Sequence, residues 1–151
     1  MMMMRGIKRK LFIIFIPALF VLVDCSSDMN DDPIPYNAFE DIIVNLSLPT
    51  YFDLHADGNY KYINGGVKGI ILYRVNSTTF RAFERTCSYE PNAACATVDV
   101  NVTRAYMEDT CCNSTFNFDG EPLGGPAWRR LRQYETQIFG GQVIITDEVI
   151  E

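Results

Sequence analysis

The sequence predicts an all-β domain over residues 41–151, and three features carry that reading. Turn-forming groups recur every 8–12 residues, at Leu48-Pro49-Thr50, Asp57-Gly58-Asn59, Asn64-Gly65-Gly66, Asn76-Ser77-Thr78, Asp119-Gly120, Gly124-Gly125-Pro126 and Gly140-Gly141. The runs between them are rich in Val, Ile, Tyr, Phe and Thr, side chains that fill a pleated, half-buried surface. Several runs alternate, as Thr79-Phe80-Arg81-Ala82-Phe83-Glu84 does, which turns one side chain inward and the next outward. No stretch of this region holds a 3.6-residue apolar period.

Taken in order, Ile42–Leu48, Tyr60–Ile63, Gly69–Val75, Thr79–Glu84, Leu131–Ile138 and Gln142–Thr146 are expected as strands. Phe80, Phe83, Phe116, Phe118 and Tyr134 are the expected aromatic core. Two stretches, Cys87 to Ala96 and Glu108 to Thr115, lack strand character and are expected as long loops. They carry every cysteine of the domain, and loops on a β scaffold are where function concentrates. Glu90, Glu108 and Asp109 are expected to make the loop tips acidic. Arg129-Arg130-Leu131-Arg132 beside Trp128 reads as a solvated strand face. Four N-x-S/T sequons, at Asn45, Asn76, Asn101 and Asn113, are read as chance in a chain rich in Asn, Ser and Thr.

Ahead of the domain, residues 1–24 read as an export signal. Arg5, Lys8, Arg9 and Lys10 precede the apolar run Leu11–Val23, the arrangement of a signal peptide. That run is shorter than the ~20 apolar residues that span a bilayer. Leu22-Val23-Asp24-Cys25 resembles the bacterial lipobox, which implies acylation of Cys25. The acidic, Pro-containing segment 25–40 resembles the tether of Bacteroidetes lipoproteins. The expected location is the bacterial outer membrane, lipid-anchored and facing the periplasm or the cell surface.

Composition narrows the function classes. Lys and Arg number 13 against 19 Asp and Glu, and losing the signal's four basic and one acidic residue leaves nine against 18. A body that acidic repels phosphate backbones, so no nucleic-acid partner is expected. The chain has a single histidine, His55, which excludes any metal site needing two imidazoles. A surface role is expected for it. Cys87, Cys95, Cys111 and Cys112 make an even count in an exported domain, so disulfides are the default. Of three connectivities, the one with a vicinal Cys111–Cys112 bridge is strained.

The segment Arg81-Ala-Phe-Glu-Arg-Thr-Cys87, followed by Asp109-Thr-Cys111-Cys112-Asn-Ser114-Thr-Phe116, Asp119-Gly120, Gly125-Pro126-Ala127 and Leu131-x-x-Tyr134, resembles the Rieske iron–sulfur domain. With the approach Gly65-Gly66-Val67-Lys68-Gly69, the resemblance runs from about Asp41 to Thr146. It implies a Rieske-like antiparallel β-sandwich with two Cys-bearing loops at one tip. It places the four cluster-ligand positions on Cys87, Tyr89, Asp109 and Cys112. A Rieske cluster takes two thiolates on one iron and two imidazoles on the other, and only Cys87 keeps its residue type. The resemblance also implies two bridges between the loops, Cys87–Cys112 and Cys95–Cys111, with Cys87–Cys111 and Cys95–Cys112 as the alternative pairing.

These observations predict an exported domain that has lost its cluster and acts as a binding or structural module, not an enzyme, with a protein partner at the loop tip. The alternatives are a [2Fe–2S] electron-transfer protein and a thiol–disulfide protein using Cys87 and Cys112. No cofactor is expected. A mixed Cys87/Tyr89/Asp109/Cys112 ion site would be oxygen-rich and suits neither zinc nor iron–sulfur chemistry.

Overall fold

A computed structural model describes residues 32–150. The strands are β1 (Ile42–Asn45), β2 (Tyr60–Ile63), β3 (Ile70–Asn76), β4 (Thr79–Glu84), β5 (Val98–Val100), β6 (Met107–Asp109), β7 (Ser114–Phe116), β8 (Pro122–Gly124), β9 (Gln133–Phe139) and β10 (Gln142–Ile150), with a short 3-10 segment at Pro49–His55. They form two antiparallel sheets. One has six strands in the order β1-β10-β9-β4-β3-β2, and the other four in the order β5-β6-β7-β8. The all-β antiparallel sandwich read from the sequence is the fold of the chain. Among the described residues, no helix is long and apolar enough to cross a membrane.

The larger sheet buries both faces at its centre. On β3 and β4, Ile70, Leu72, Phe80 and Ala82 point into one core with Val44, Leu54, Tyr134, Val143 and Ile145. Their neighbours Ile71 and Phe83 point the other way, into a second core with Val98, Met107, Phe116 and Leu131. Period-2 geometry gives one strand to two cores in this way, and the second core is the platform on which the smaller sheet rests. Of the expected aromatic core, Phe80, Phe83, Phe116 and Tyr134 are buried. Phe118 is half-buried and stacks on Tyr73 at 4.2 Å.

Three expectations need correction. The stretch Glu108 to Thr115 is not one long loop: its ends belong to β6 and β7, leaving only residues 110–113 as a turn. Three-residue strands are too short for alternation to register in sequence. None of the arginines of 129–132 lies in a strand, and while Arg130 is exposed, Arg129 and Arg132 turn to the chain and not to solvent. Arg129 donates to Asp32 O, and Arg132 donates to the Pro35 and Ile34 carbonyls, the latter at 2.6 Å. The expected tether through residue 40 is thereby laid on the body from Asp32 onward, with Phe39 packed edge-on against Tyr134 at 5.0 Å. The sequons also find a structural reason. Asn45, Asn76 and Asn101 each accept, through Oδ1, the N–H two residues on, the turn that an Asn side chain favours.

Candidate functional site

β4 leads straight into the first Cys-bearing loop, and the junction is organised by a buried carboxylate. Glu84 accepts from the backbone N–H groups of Val67, Lys68 and Thr86, from Thr86 Oγ1 and from Tyr134 Oη, at 2.8–3.0 Å. Five donors on one fully buried side chain lock the Gly65–Gly69 turn, β9 and the start of the loop together. Gly66 has φ +62°, and a Cβ there would collide with the Glu84 carboxylate, so only glycine fits. Lys68 reaches over from the same turn and donates to the Ala93 and Ala96 carbonyls, both at 2.7 Å, which shapes the far side of the loop. Ser88 and Arg129 exchange hydrogen bonds: Ser88 Oγ donates to Arg129 O at 2.7 Å, and Arg129 Nη2 donates to Ser88 O at 3.0 Å.

The second loop is the turn between β6 and β7. Asp109 ends β6 fully buried, and its Oδ1 accepts the Cys111 N–H at 2.8 Å. Gly125, at φ +83°, presses against this turn: a Cβ would lie 2.5 Å from Asn113 O. Ser114, the first residue of β7, is buried and accepts the Ala127 N–H through Oγ at 3.0 Å. The Gly-Pro-Ala segment thus backs the second loop as Lys68 backs the first.

The two loops meet in a compact donor group. The ligand atoms of Cys87, Asp109 and Cys112 all lie within 4.8 Å of one another. Cys87 Sγ and Cys112 Sγ are 3.9 Å apart. The Cys112 thiol lies 3.0 Å from Ser114 Oγ and 3.5 Å from Asp109 Oδ2, and its one proton serves either acceptor. Cys87 and Asp109 are buried and Cys112 is half-buried. Burial pushes the Cys87 thiol well above the ordinary thiol range. The Tyr89 N–H facing its sulfur opposes that rise, and the Asp109 carboxylate adds to it.

Three of the four sequence-assigned ligand positions therefore come together, and the fourth, Tyr89, packs half-buried against the second core. Asp109 is not an exposed acidic tip residue: as the last residue of β6 it faces inward. Cys95 and Cys111 are joined in a disulfide with Cα atoms 5.6 Å apart. The other expected bridge, Cys87–Cys112, is not formed: the two sulfurs stand 3.9 Å apart beside the Asp109 carboxylate. His55 lies outside the site, exposed, with Nε2 2.7 Å from Leu46 O. Cys25 lies outside the described residues. Glu84, Lys68 and Ser114 were not anticipated as site-shaping residues. For Lys68 and Ser114 the signal was only their place inside the Gly65–Gly69 and Cys-Cys-x-Ser motifs.

No family model matches the sequence, and no curated protein matches it. Among solved structures, the chain is similar to the cyanobacterial plasma membrane Rieske protein PetC3 from Synechocystis PCC 6803, with 25% identity and a TM-score of 0.53 over 70% of this chain and 98% of that one. It is also similar to a chain of the complex of reduced oxygenase and oxidized ferredoxin in carbazole 1,9a-dioxygenase, with 19% identity and a TM-score of 0.48 over 79% of this chain and 99% of that one. The domain is Rieske-type in fold. That likeness corrects the expectation that no cofactor is involved. Rieske domains house a [2Fe–2S] cluster between these two loops, and here Cys87, Asp109 and Cys112 converge between the same loops into a ligand group. The donor set itself does not fit the Rieske form of that cluster. Two imidazoles on one iron are required, the two ligand positions that should supply them hold Tyr89 and Cys112, and the sole histidine is on the surface.

Proposed function

We propose that the protein is an exported, lipid-anchored domain of the bacterial outer membrane, facing the periplasm or the cell surface. In this reading its Rieske-type fold has given up the imidazole-ligated two-iron centre and serves as a binding and structural module, not as an electron carrier or an enzyme. The observation that carries it is the donor set: the loops keep their fold and approach each other, yet bring two sulfurs and a carboxylate together and no imidazole. Burial raises the Cys87 thiol, which works against the attacking thiolate that a thiol–disulfide enzyme needs. The anchor is supported by Leu22-Val23-Asp24-Cys25. Arg129 holds Asp32 beside the first loop, seven residues after Cys25, so Asp32 can stand no more than about 25 Å from the lipid cysteine.

The test is metal content together with fractionation. Protein purified from an oxidising compartment should carry no acid-labile sulfide and show no cluster EPR signal after reduction. Two irons per chain with such a signal would overturn the reading. Cys25→Ser should move the protein from the detergent-extracted membrane fraction to the soluble one, and retention in the membrane would refute the anchor.

A further inference from the structure

We infer that Cys87, Asp109 and Cys112 form a mononuclear site for a borderline divalent cation of the zinc class, at the position where the fold's two-iron centre would sit. The inference rests on the reading above that the imidazole-ligated cluster is absent. A tetrahedral ion with Zn–S near 2.3 Å and Zn–O near 2.0 Å sets an S···S edge of about 3.8 Å and an S···O edge of about 3.5 Å. The two sulfurs stand 3.9 Å apart, and Cys112 Sγ stands 3.5 Å from Asp109 Oδ2. Two of the three donor–donor edges already match that tetrahedron, and the third, Cys87 to Asp109, is no longer than 4.8 Å.

The chemistry of the set selects the ion. Two thiolates and one carboxylate are a sulfur-majority set, which zinc accepts and which magnesium and calcium, oxygen-seeking cations, do not. Tyr89 is not needed to complete it, so the objection that such a site would be oxygen-rich falls away. Asp109 is fully buried, and among the described residues it forms no ion pair. A buried carboxylate without a cationic partner is costly, and a bound cation supplies one. On binding, the thiol protons of Cys87 and Cys112 leave to solvent as the divalent ion enters, so the charge of the pocket is unchanged.

Each donor is also oriented from behind, as metal ligands are. The Cys111 N–H fixes Asp109 through Oδ1 and leaves Oδ2 towards the sulfurs. The Tyr89 N–H faces Cys87 Sγ. Ser114 Oγ already accepts from Ala127, so its own hydrogen is free to turn to the Cys112 thiolate 3.0 Å away. Cys112 is the donor nearest the surface, which leaves the ion's fourth position to a water or to a partner's donor atom.

The full-chain protein, purified in detergent and reduced under anaerobic, metal-free conditions, is titrated with cobalt(II), whose thiolate charge-transfer bands report sulfur ligation. One cobalt per chain is expected, with an intense near-ultraviolet band that equimolar zinc abolishes. Cys112→Ser, at a half-buried position, should cut the band per bound cobalt by about half. Asp109→Asn preserves shape and both sulfurs and should weaken binding while keeping the band. Ser114→Ala should weaken binding roughly 10–100-fold. Reduced protein with both thiols alkylatable that takes up no cobalt overturns this inference and leaves the proposed function standing. An undiminished band in Cys112→Ser overturns the ligand assignment. Two irons with labile sulfide overturn both readings.

Discussion

The six-stranded sheet and the four-stranded sheet are held together by different physics. In the first, β3, β9 and β10 run seven to nine residues and pair over most of their length, with one register shift in each of the β9–β10 and β3–β4 ladders. Its core is a contiguous apolar cluster in which each fully buried Leu, Ile, Val or Phe contributes about 1.5–3 kcal/mol. In the second, every strand has three residues, too few to stand without support. It shares the second apolar core with the underside of β3 and β4, and it is tied in addition by individual attachments: the Cys95–Cys111 bridge, the Lys68 reach and the close approach of Gly125. The same contrast separates the two buried carboxylates. Glu84 accepts from five donors and has no lone pair to spare. Asp109 has one oxygen fixed by Cys111 N–H and the other turned to sulfur. A scaffold stabilised by area and a tip tied in addition by separate attachments allow ligands to change type without disturbing the fold.

The largest effect is expected where the two sheets share a residue. Phe83 is fully buried on the tip side of β4, and Phe83→Ala should cost about 3–5 kcal/mol by denaturant titration. Because the ring lies under the tip, hydrogen exchange should accelerate first in β5 to β8 and later in β9 and β10. Simultaneous loosening of both sheets would erase the distinction between them. Next comes the bridge. Cys95 and Cys111 are 16 residues apart, so replacing both with serine should cost about 3 kcal/mol in the chain-entropy picture. The cost should be read in the tip, as faster exchange over residues 87–116, with β1 and β10 protected as before. A uniform change across both sheets would show that the bridge acts on the whole domain.

This contrast also explains what could be read from the sequence. The strands of the larger sheet were legible because they are long enough to alternate: Tyr60–Ile63 and Thr79–Glu84 lie where the pattern puts them. β5 to β8 were not, since three residues give one and a half alternations, and their polar members serve the loops. Motif order identified the fold and put Cys87, Asp109 and Cys112 on facing loops. It could not give the inward turn of Asp109, which depends on β6 pairing with β7 through Asp109↔Ser114. Nor could it show that the Cys87 and Cys112 sulfurs meet a carboxylate and stay unbridged, a matter of side-chain direction within one turn. The arginine clamp on residues 32–35 was invisible for a plainer reason: backbone carbonyls leave no mark in sequence.

The smallest effect concerns the hydrogen bond that ties the outer strand of the larger sheet to the tip. Tyr62, on β2, accepts the Val100 N–H of β5 through its phenol oxygen at 3.0 Å, and Arg85 lies over its ring at 4.4 Å. Burial pushes the Tyr62 phenol from 10 up to about 12; the Val100 N–H opposes that rise and the Asp99 carboxylate adds to it. The folded state therefore holds the phenol proton more tightly than the unfolded chain does. Its contribution is fully present below pH 10 and is lost as pH rises from 10 to 12. The side chain is 40% exposed, so solvent screening keeps the contribution well below the full linkage value. Tyr62→Phe should cost about 1 kcal/mol at neutral pH by stranding the Val100 N–H. It should also flatten part of the alkaline decline, leaving the share due to buried Tyr134, whose phenol burial raises further. Urea titrations of both proteins across that window test this. Curves that stay parallel from neutral pH to pH 12 would mean that Tyr62 takes no part in the alkaline decline and that the two sheets are not coupled through its proton.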